Sequence, residues 1–259
     1  MISVVVVSLN EADKLKLCLA SVKDFAKEII VIDLESKDKT KEVSRQYKAK
    51  IFEHPPLAYV EPIRNFAISK ATQPWVLILD PDEQVSASLA TRLVQIAKED
   101  KFSAVNIPRK NIFFGHWIAH TNFWPDRHIR FFKKGVIVWP DRIHAHYGKK
   151  GSLQVSGLVL TLPARQDLAL KHYGYDNRRQ VFERQKRYAA IEAQNRFEEG
   201  ERFSPWQLFW MPTREFAVRF IKHLGFLDGF DGLFLVMALM YYQILVQFNL
   251  LKLQGVDKK

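Results

Sequence analysis

Two carboxylates one residue apart, Asp80 and Asp82, close the apolar run Trp75-Val76-Leu77-Ile78-Leu79. Oxygen donors spaced in this way suit a hard divalent cation, Mg²⁺ or Mn²⁺, and through the ion a phosphate. The run itself reads as a central parallel strand covered on both faces. In open α/β sheets, ligands bind just beyond the carboxyl ends of such strands. The same Asp-Pro-Asp-Glu segment also reads as an acidic turn punctuated by Pro81. Comparable groups end other apolar runs: Ser8, Asn10 and Glu11 after the first, Asp33 after the second. A carboxylate such as Asp33 can accept hydrogen bonds from a base or ribose, and Arg64 can pair with phosphate oxygens. Taken singly, Asn10 is equally a helix cap, Asp33 a surface turn residue and Arg64 a solvated charge. Taken jointly, acidic or amide groups at three strand ends predict one pocket.

The elements that would carry these groups alternate, strand then helix, over the first hundred residues, which points to parallel βαβ units. Strands are predicted over Ser3 to Leu9, Glu28 to Leu34, Ile51-Phe52 and Trp75 to Asp80. Between them lie helices marked by Leu15, Cys18, Leu19 and Val22, by Val43 and Tyr47, and by Ile63, Phe66 and Ala67. Asn10 stands in the cap position of the first, with Asp13 three residues on. Leu89, Leu93 and Ile96 mark a further helix. After Ala104 the texture becomes short and β-like (Ala104 to Phe114, Arg127 to Lys133, Val136 to Trp139). A long charged helix is predicted from Asn177 to Phe197.

Composition narrows the partners. The formal net charge is +11 and the chain is 47% hydrophobic, with six Trp and nineteen Phe. It is globular and calls for an anionic partner. A clustered Lys/Arg stripe and nucleic-acid motifs are missing, so nucleic acid is not expected. The single cysteine, Cys18, excludes an internal disulfide and reads as a small buried apolar residue. Met1 to Val7 is too short and lacks the basic leader of a signal peptide, so the chain is expected in the cytosol. Between Thr213 and Leu224, a helical wheel places Phe216, Ala217, Phe220, Ile221 and Leu224 on one arc and Glu215, Arg219, Lys222 and His223 on the other. The apolar run from Leu233 to Val246 falls short of the ~20 residues of a bilayer span and reads as a core-buried or interfacial helix.

Five ordered motifs then resemble family 2 glycosyltransferases. They are Ser8-Leu9-Asn10-Glu11, Leu15-x-x-Cys18-Leu19-x-Ser21, Val31-Ile32-Asp33-x-x-Ser36-x-Asp38-x-Thr40, Arg64-Asn65-x-Ala67 and Leu79-Asp80-Pro81-Asp82-Glu83. Trp124-Pro125-Asp126-Arg127-x-x-Arg130-Phe131-Phe132, His172-Tyr173-x-Tyr175 and Gly225-Phe226-Leu227-Asp228-Gly229 resemble the subgroup of lipopolysaccharide inner-core β-1,4-glucosyltransferases.

The resemblance implies an α/β fold of GT-A type, a Rossmann-like, mostly parallel sheet flanked by helices, with a C-terminal helical extension. The expected division is a catalytic domain over 1–200, with a nucleotide-sugar half (1–103) and an acceptor half (104–200), then a helical region over 201–259 that associates with membrane or oligomerises. It further implies an inverting transfer of a hexose, glucose favoured, from a UDP-sugar with Mg²⁺ or Mn²⁺. Ser8, Asn10, Glu11 and Asp33 would hold the nucleoside, Arg64 the phosphates, Asp80 ribose or metal, and Asp82 the metal. Asp126 would be the base, its competing role being a turn or salt-bridge residue beside Arg127 and Arg130. The acceptor would be a lipid-linked glycan, with the enzyme peripheral on the inner face of the cytoplasmic membrane. Alternatives are a polyprenyl-phosphate or protein acceptor, or a non-catalytic nucleotide-sugar scaffold. Two departures stand out. Glu35 replaces the usual glycine after Asp33, and Ala145 follows His144 where relatives carry glutamate. His144 and His172 could complete a metal or diphosphate shell, or be structural.

Overall fold

The computed structural model of the chain describes residues 1–57, 61–139 and 153–256. In order, the chain forms β1 (Ile2–Ser8), α1 (Ala12–Val22), β2 (Glu28–Asp33), α2 (Thr40–Gln46), β3 (Lys50–Glu53), α3 (Glu61–Ser69) and β4 (Trp75–Leu79). There follow β5 (Glu83–Gln84), α4 (Ala87–Glu99), β6 (Ala104–Phe113), β7 (His116–Trp117), β8 (Asp126–Lys133), β9 (Ile137–Val138), β10 (Gln154–Val155), β11 (Val159–Thr161) and β12 (Leu170–Tyr175). Three helices close it: α5 (Arg178–Glu198), α6 (Pro205–Phe216) and α7 (Gly229–Val256). One compact unit comprises Met1–Lys110 with Pro125–His172; the other comprises Asn111–Trp124 with the chain from Tyr173 onward.

The sheet of the first unit runs β3-β2-β1-β4-β8-β6-β12-β5. β1 pairs in parallel with β2 and β4, and β2 with β3. β8 is antiparallel to both β4 and β6. Every residue of β1, β2 and β4 is buried, because helices cover both faces of the parallel half. The strand's period of two sorts their side chains. Val4, Val6, Val31, Leu77 and Leu79 join Leu15, Leu19, Leu89 and Leu93 of α1 and α4, whereas Val5, Val7, Ile30, Ile32, Val76 and Ile78 join Ile63 and Ala67 of α3. Cys18 is a free thiol, fully buried in the first cluster. The expected α/β architecture, with its mostly parallel sheet and C-terminal helices, is the one observed.

Asn10 does not cap α1. It lies in the left-handed region at φ 54°, where an N-cap needs extended backbone. Its side-chain oxygen instead accepts from the Lys37 N–H at 2.7 Å, and Asp38 accepts from the Ala12 N–H at 3.0 Å. The loop after β2 thus supplies the cap, which local sequence could not reveal.

In the second unit, Asn177 caps α5 by accepting from the Gln180 N–H. Ala189 and Ala193 of α5 then pack on Tyr242, Val246 and Leu250 of α7. α7 runs 28 residues, well beyond the Leu233 to Val246 read from sequence. Gly232 extends it because a Cβ there would collide with the Gly225 carbonyl. Gln247 stays inside it because its amide is satisfied, accepting from the Ser204 N–H at 3.1 Å and donating to Gln207 at 2.9 Å. The apolar stretch Gly225–Gly255 is long and apolar enough to cross a membrane by length and composition, but one side of it is committed to the charged helix α5.

The segment after α6 also departs from the wheel. Ala217–Lys222 is π-helical, and an i→i+5 helix turns less per residue than a 3.6-residue wheel assumes. Phe216 and Phe220 therefore stack on each other at 5.1 Å, both half-buried. Arg219, on the charged arc of the wheel, pairs with Glu215 at 2.7 Å and donates to the Thr121 carbonyl at 3.0 Å. Ile221 and Leu224 remain exposed. The buried carboxylate of Asp228 fixes this region by accepting from the Ala119 and His120 N–H groups and the Thr121 hydroxyl.

Candidate active site

The strand order places the carboxyl ends of β2, β1 and β4 side by side, so Asp33, Ser8 and Asp80 share one sheet edge. Ser8 and Asp33 are direct partners in register. Both are buried, at 1% and 0% exposure, and both present an atom with no hydrogen-bond partner among the described residues: the Ser8 hydroxyl and Asp33 Oδ1. Asp33 Oδ2 accepts from the Ser36 N–H at 3.1 Å and lies 3.6 Å from Lys41 Nζ. An unmatched buried carboxylate oxygen is costly unless a ligand donates to it. Asn10 donates its N–H to Ser36 Oγ at 2.9 Å, and Glu11 directly precedes α1. Glu35 takes φ 58°, the left-handed conformation a glycine adopts freely.

Beyond β4 the Asp80-Pro81-Asp82-Glu83 segment is both of the things its sequence suggested, an acidic turn and a strand-end carboxylate cluster. The Glu83 N–H bonds the Asp80 carbonyl at 2.9 Å, and the Glu83 carboxylate accepts in return from the Asp80 N–H at 3.0 Å. Asp80 receives Arg64 on one oxygen at 2.9 Å and Arg130 on the other. Burial raises its carboxyl pKa, but the guanidiniums of Arg130, Arg64 and Arg109 outweigh that and hold it well below the usual range. Glu83, fully buried, bridges Arg130 at 2.9 Å and Arg109 at 3.4 Å. Asp82 is 8% exposed and lies 3.4 Å from His172 Nε2.

Asp126 joins the same network. It is paired in register with Arg109 across β6 and β8, and Arg109 grips one of its oxygens through Nε and an Nη, at 2.9 and 2.7 Å. His128 Nε2 lies 2.9 Å from the other. Burial, then the charge of Arg109, push the His128 pKa down to about 4 against the pull of Asp126. At neutral pH the imidazole is neutral and donates to the carboxylate. Among the described residues the guanidinium paired with Asp126 is that of Arg109. Arg64, Asp80, Arg130, Glu83, Arg109 and Asp126 form one chain of ion pairs. Of these, Glu83 and Arg130 are visible in the sequence only as parts of motifs, and Arg109 and His128 not at all. Their one signal is a charge interrupting an otherwise buried strand, as Arg130 does between Ile129 and Phe131.

A folded-state pKa near 4 for His128 has a consequence for stability. The unfolded chain binds this proton at pH 6.5 and the native one only near 4, so stability falls as pH drops through that window. The loss is on the order of 2–3 kcal/mol. Urea midpoints at pH 7 and 4.5 measure it, and His128→Gln should flatten the slope. An unchanged slope in the variant would assign the effect elsewhere.

Among the described residues no group of three His, Cys, Asp or Glu side chains is placed to hold a metal. His144 lies outside the described residues. A cleft of about 580 Å³ opens on the opposite sheet edge, lined by Lys23, Lys27, Glu28, Lys48, Lys50 and Gln73 among others. Its one carboxylate, Glu28, is held down to about 2: burial raises it, but Lys50, Ser3 and Thr72 outweigh that. It is no place for proton transfer.

Residues 3–156, more than half of the chain, match the family Glycosyl transferase family 2. The chain belongs to that family. This family 2 glycosyltransferase is 25% identical to an uncharacterised glycosyltransferase of Rickettsia typhi over 89% of its own length and 80% of the relative's. It is 23% identical to the lipopolysaccharide core biosynthesis glycosyltransferase LpsC of Rhizobium meliloti, over 89% and 87%. Among solved structures it resembles the mannosyltransferase PcManGT of Pyrobaculum calidifontis, in complex with GDP-Man and Mn²⁺, with TM-score 0.55, 16% identity and coverage of 96% and 86%. Against TarS of S. aureus the TM-score is 0.50 at 16% identity, and the enzyme spans 40% of that longer chain. These likenesses agree with the GT-A fold implied by its motifs.

Proposed function

We propose that the enzyme transfers a hexose, glucose favoured, with inversion from a UDP-sugar to a lipid-linked saccharide such as a lipopolysaccharide core, at the inner face of the cytoplasmic membrane. The observation that carries the donor half is the pair of buried, unmatched acceptor atoms, Ser8 Oγ and Asp33 Oδ1, beside the Asp80–Glu83 turn. A carboxylate oxygen there calls for an N–H donor, which uracil supplies through its imide. Asn10 and Glu11 close the rim of the nucleoside site, and Arg64, at the end of the ion-pair chain, is the guanidinium assigned to the diphosphate. Asp82 would hold Mg²⁺ or Mn²⁺, with Asp80 kept ionised beside it by its arginines. When bound, the ion would offset charge on the departing nucleoside diphosphate. Asp126 takes the acceptor hydroxyl proton, and Arg109 and His128 hold its carboxylate in place. The acceptor class is supported by the relative LpsC, named for lipopolysaccharide core biosynthesis.

Thermal shift with UDP, GDP and their sugars, with and without Mn²⁺, tests this reading. Ligand at a hundred times Kd adds about 2.7 kcal/mol of stability, enough to move the midpoint by several degrees. UDP should raise the midpoint more than GDP, and Asp33→Ala should abolish the rise. A protein indifferent to every nucleotide would sink the proposal.

A further inference from the structure

The chain from Arg202 to Leu227 turns an apolar stripe of seven large side chains to solvent, interrupted at the exposed Thr213 and Arg214. Trp206, Phe209 and Trp210 lie on one face of α6 at i, i+3 and i+4, and are 70%, 71% and 48% exposed. The two indoles stack at 5.9 Å with 8° between their planes. The π-helical turn carries the stripe on to Ile221 and Leu224, and the following 3₁₀ turn adds Phe226 and Leu227, all exposed. The covered side of α6 is the other one, where Pro212 is buried and Leu208 and Met211 are half-buried.

The charges within this stretch are mostly cationic, with the exposed Glu201 directly before it. Between Arg202 and Leu227 there are four Arg or Lys side chains and one acid, Glu215. Arg219 neutralises that acid at 2.7 Å, which leaves Arg202, Arg214 and Lys222 exposed at the border. A large contiguous apolar surface with a polar rim marks an interaction site. Tryptophan, with an apolar body and one N–H, suits the boundary between lipid headgroups and acyl chains. Border cations suit lipid phosphates.

We propose that this stripe is the docking plate that seats the enzyme on an anionic lipid surface. The rings of Trp206, Phe209, Trp210 and Phe226 enter the boundary, and Arg202, Arg214 and Lys222 meet the phosphates. The proposal rests on the lipid-linked acceptor reading and gives it a surface. It keeps Ile221 and Leu224 of the apolar arc read from sequence, leaves out the half-buried Phe216 and Phe220, and does not use Arg219. A second copy of the chain fits the stripe less well, because a two-fold contact would set the same cations against each other.

Sedimentation of the full chain with phosphatidylcholine vesicles, with and without phosphatidylglycerol, tests it. Binding should require phosphatidylglycerol, weaken with added salt, and blue-shift the tryptophan emission. The combined variant Trp206→Ser, Phe209→Ser, Trp210→Ser should bind at least about tenfold more weakly, with its thermal midpoint and its UDP-induced shift kept. Arg214→Glu with Lys222→Glu should weaken binding to anionic vesicles as well. A full chain that stays in the supernatant with anionic vesicles overturns the proposal, as does a triple variant that binds like the native protein. Vesicle-indifferent protein that light scattering finds dimeric, and that the triple variant makes monomeric, overturns it in favour of a self-interface. A missing UDP shift with vesicle binding intact overturns the donor reading and leaves the plate standing.

Discussion

Replacing Asp82 with asparagine is expected to lower kcat/KM by ~10³-fold, the scale of removing a main electrostatic contact to developing charge. The fold should survive, because the hydrogen bonds that shape the turn belong to Asp80 and Glu83: the Glu83 N–H to the Asp80 carbonyl, and the Asp80 N–H to the Glu83 carboxylate. Both Asp80 oxygens are held by arginines, so Asp80 serves the site by geometry and charge balance, and Asp82 is the carboxylate assigned to the ion. Asparagine keeps the shape of that side chain and removes its charge. Steady-state transfer with Mn²⁺ varied, alongside a urea midpoint, separates the two contributions. Activity within about tenfold of native at saturating Mn²⁺ would remove Asp82 from the metal's coordination.

The strands of this site were legible because burial on both faces leaves a simple record, the uninterrupted apolar runs Val4–Val7, Ile29–Ile32 and Trp75–Leu79. Where such a run stops on a polar residue, the carboxyl end of a parallel strand follows, and so do Ser8, Asp33 and Asp80. What holds those groups was not legible. Arg109 meets Asp126 only through the antiparallel register of β6 and β8, and register is a property of two distant segments. Asn10 looked like a cap because capping is read locally, yet its partner Lys37 arrives from the next loop.

The C-terminal helices were misread for a similar reason. A helical wheel assumes one twist throughout, and the π turn at Ala217–Lys222 breaks that assumption, moving Phe220 inward and leaving Ile221 out. The apolar run read as ending at Val246 continues because the next residue, Gln247, finds its partners Ser204 and Gln207 some forty residues upstream. In each case an intrinsic tendency was overridden by one long-range hydrogen bond or close contact.

The largest effect on stability is expected from Arg130→Met, a loss of about 3–5 kcal/mol, the cost of breaking a buried ion pair from one side. Arg130 is 4% exposed and contacts both Asp80 and the fully buried Glu83. Methionine fills much of its volume, so packing changes little and the loss is electrostatic. Among the described residues the remaining cations would be Arg109 for Glu83, at 3.4 Å, and Arg64 for Asp80, at 2.9 Å. The sign of the pH dependence follows. In the native protein Asp80 titrates well below the usual carboxylate range, so its contribution is present at neutral pH and lost as pH falls through that depressed pKa. Without Arg130 the carboxyl loses its principal cation, and the gap between the two proteins should narrow in acid. Urea unfolding at pH 7 and at a series of pH values below 4 measures this. The double variant Arg130→Met, Glu83→Gln removes the stranded charge along with its partner and should recover more than half of the loss at pH 7. A single variant within 1 kcal/mol of native, or a double variant no better than the single, would mean that the ion-pair chain does not hold the Asp80–Glu83 turn in place.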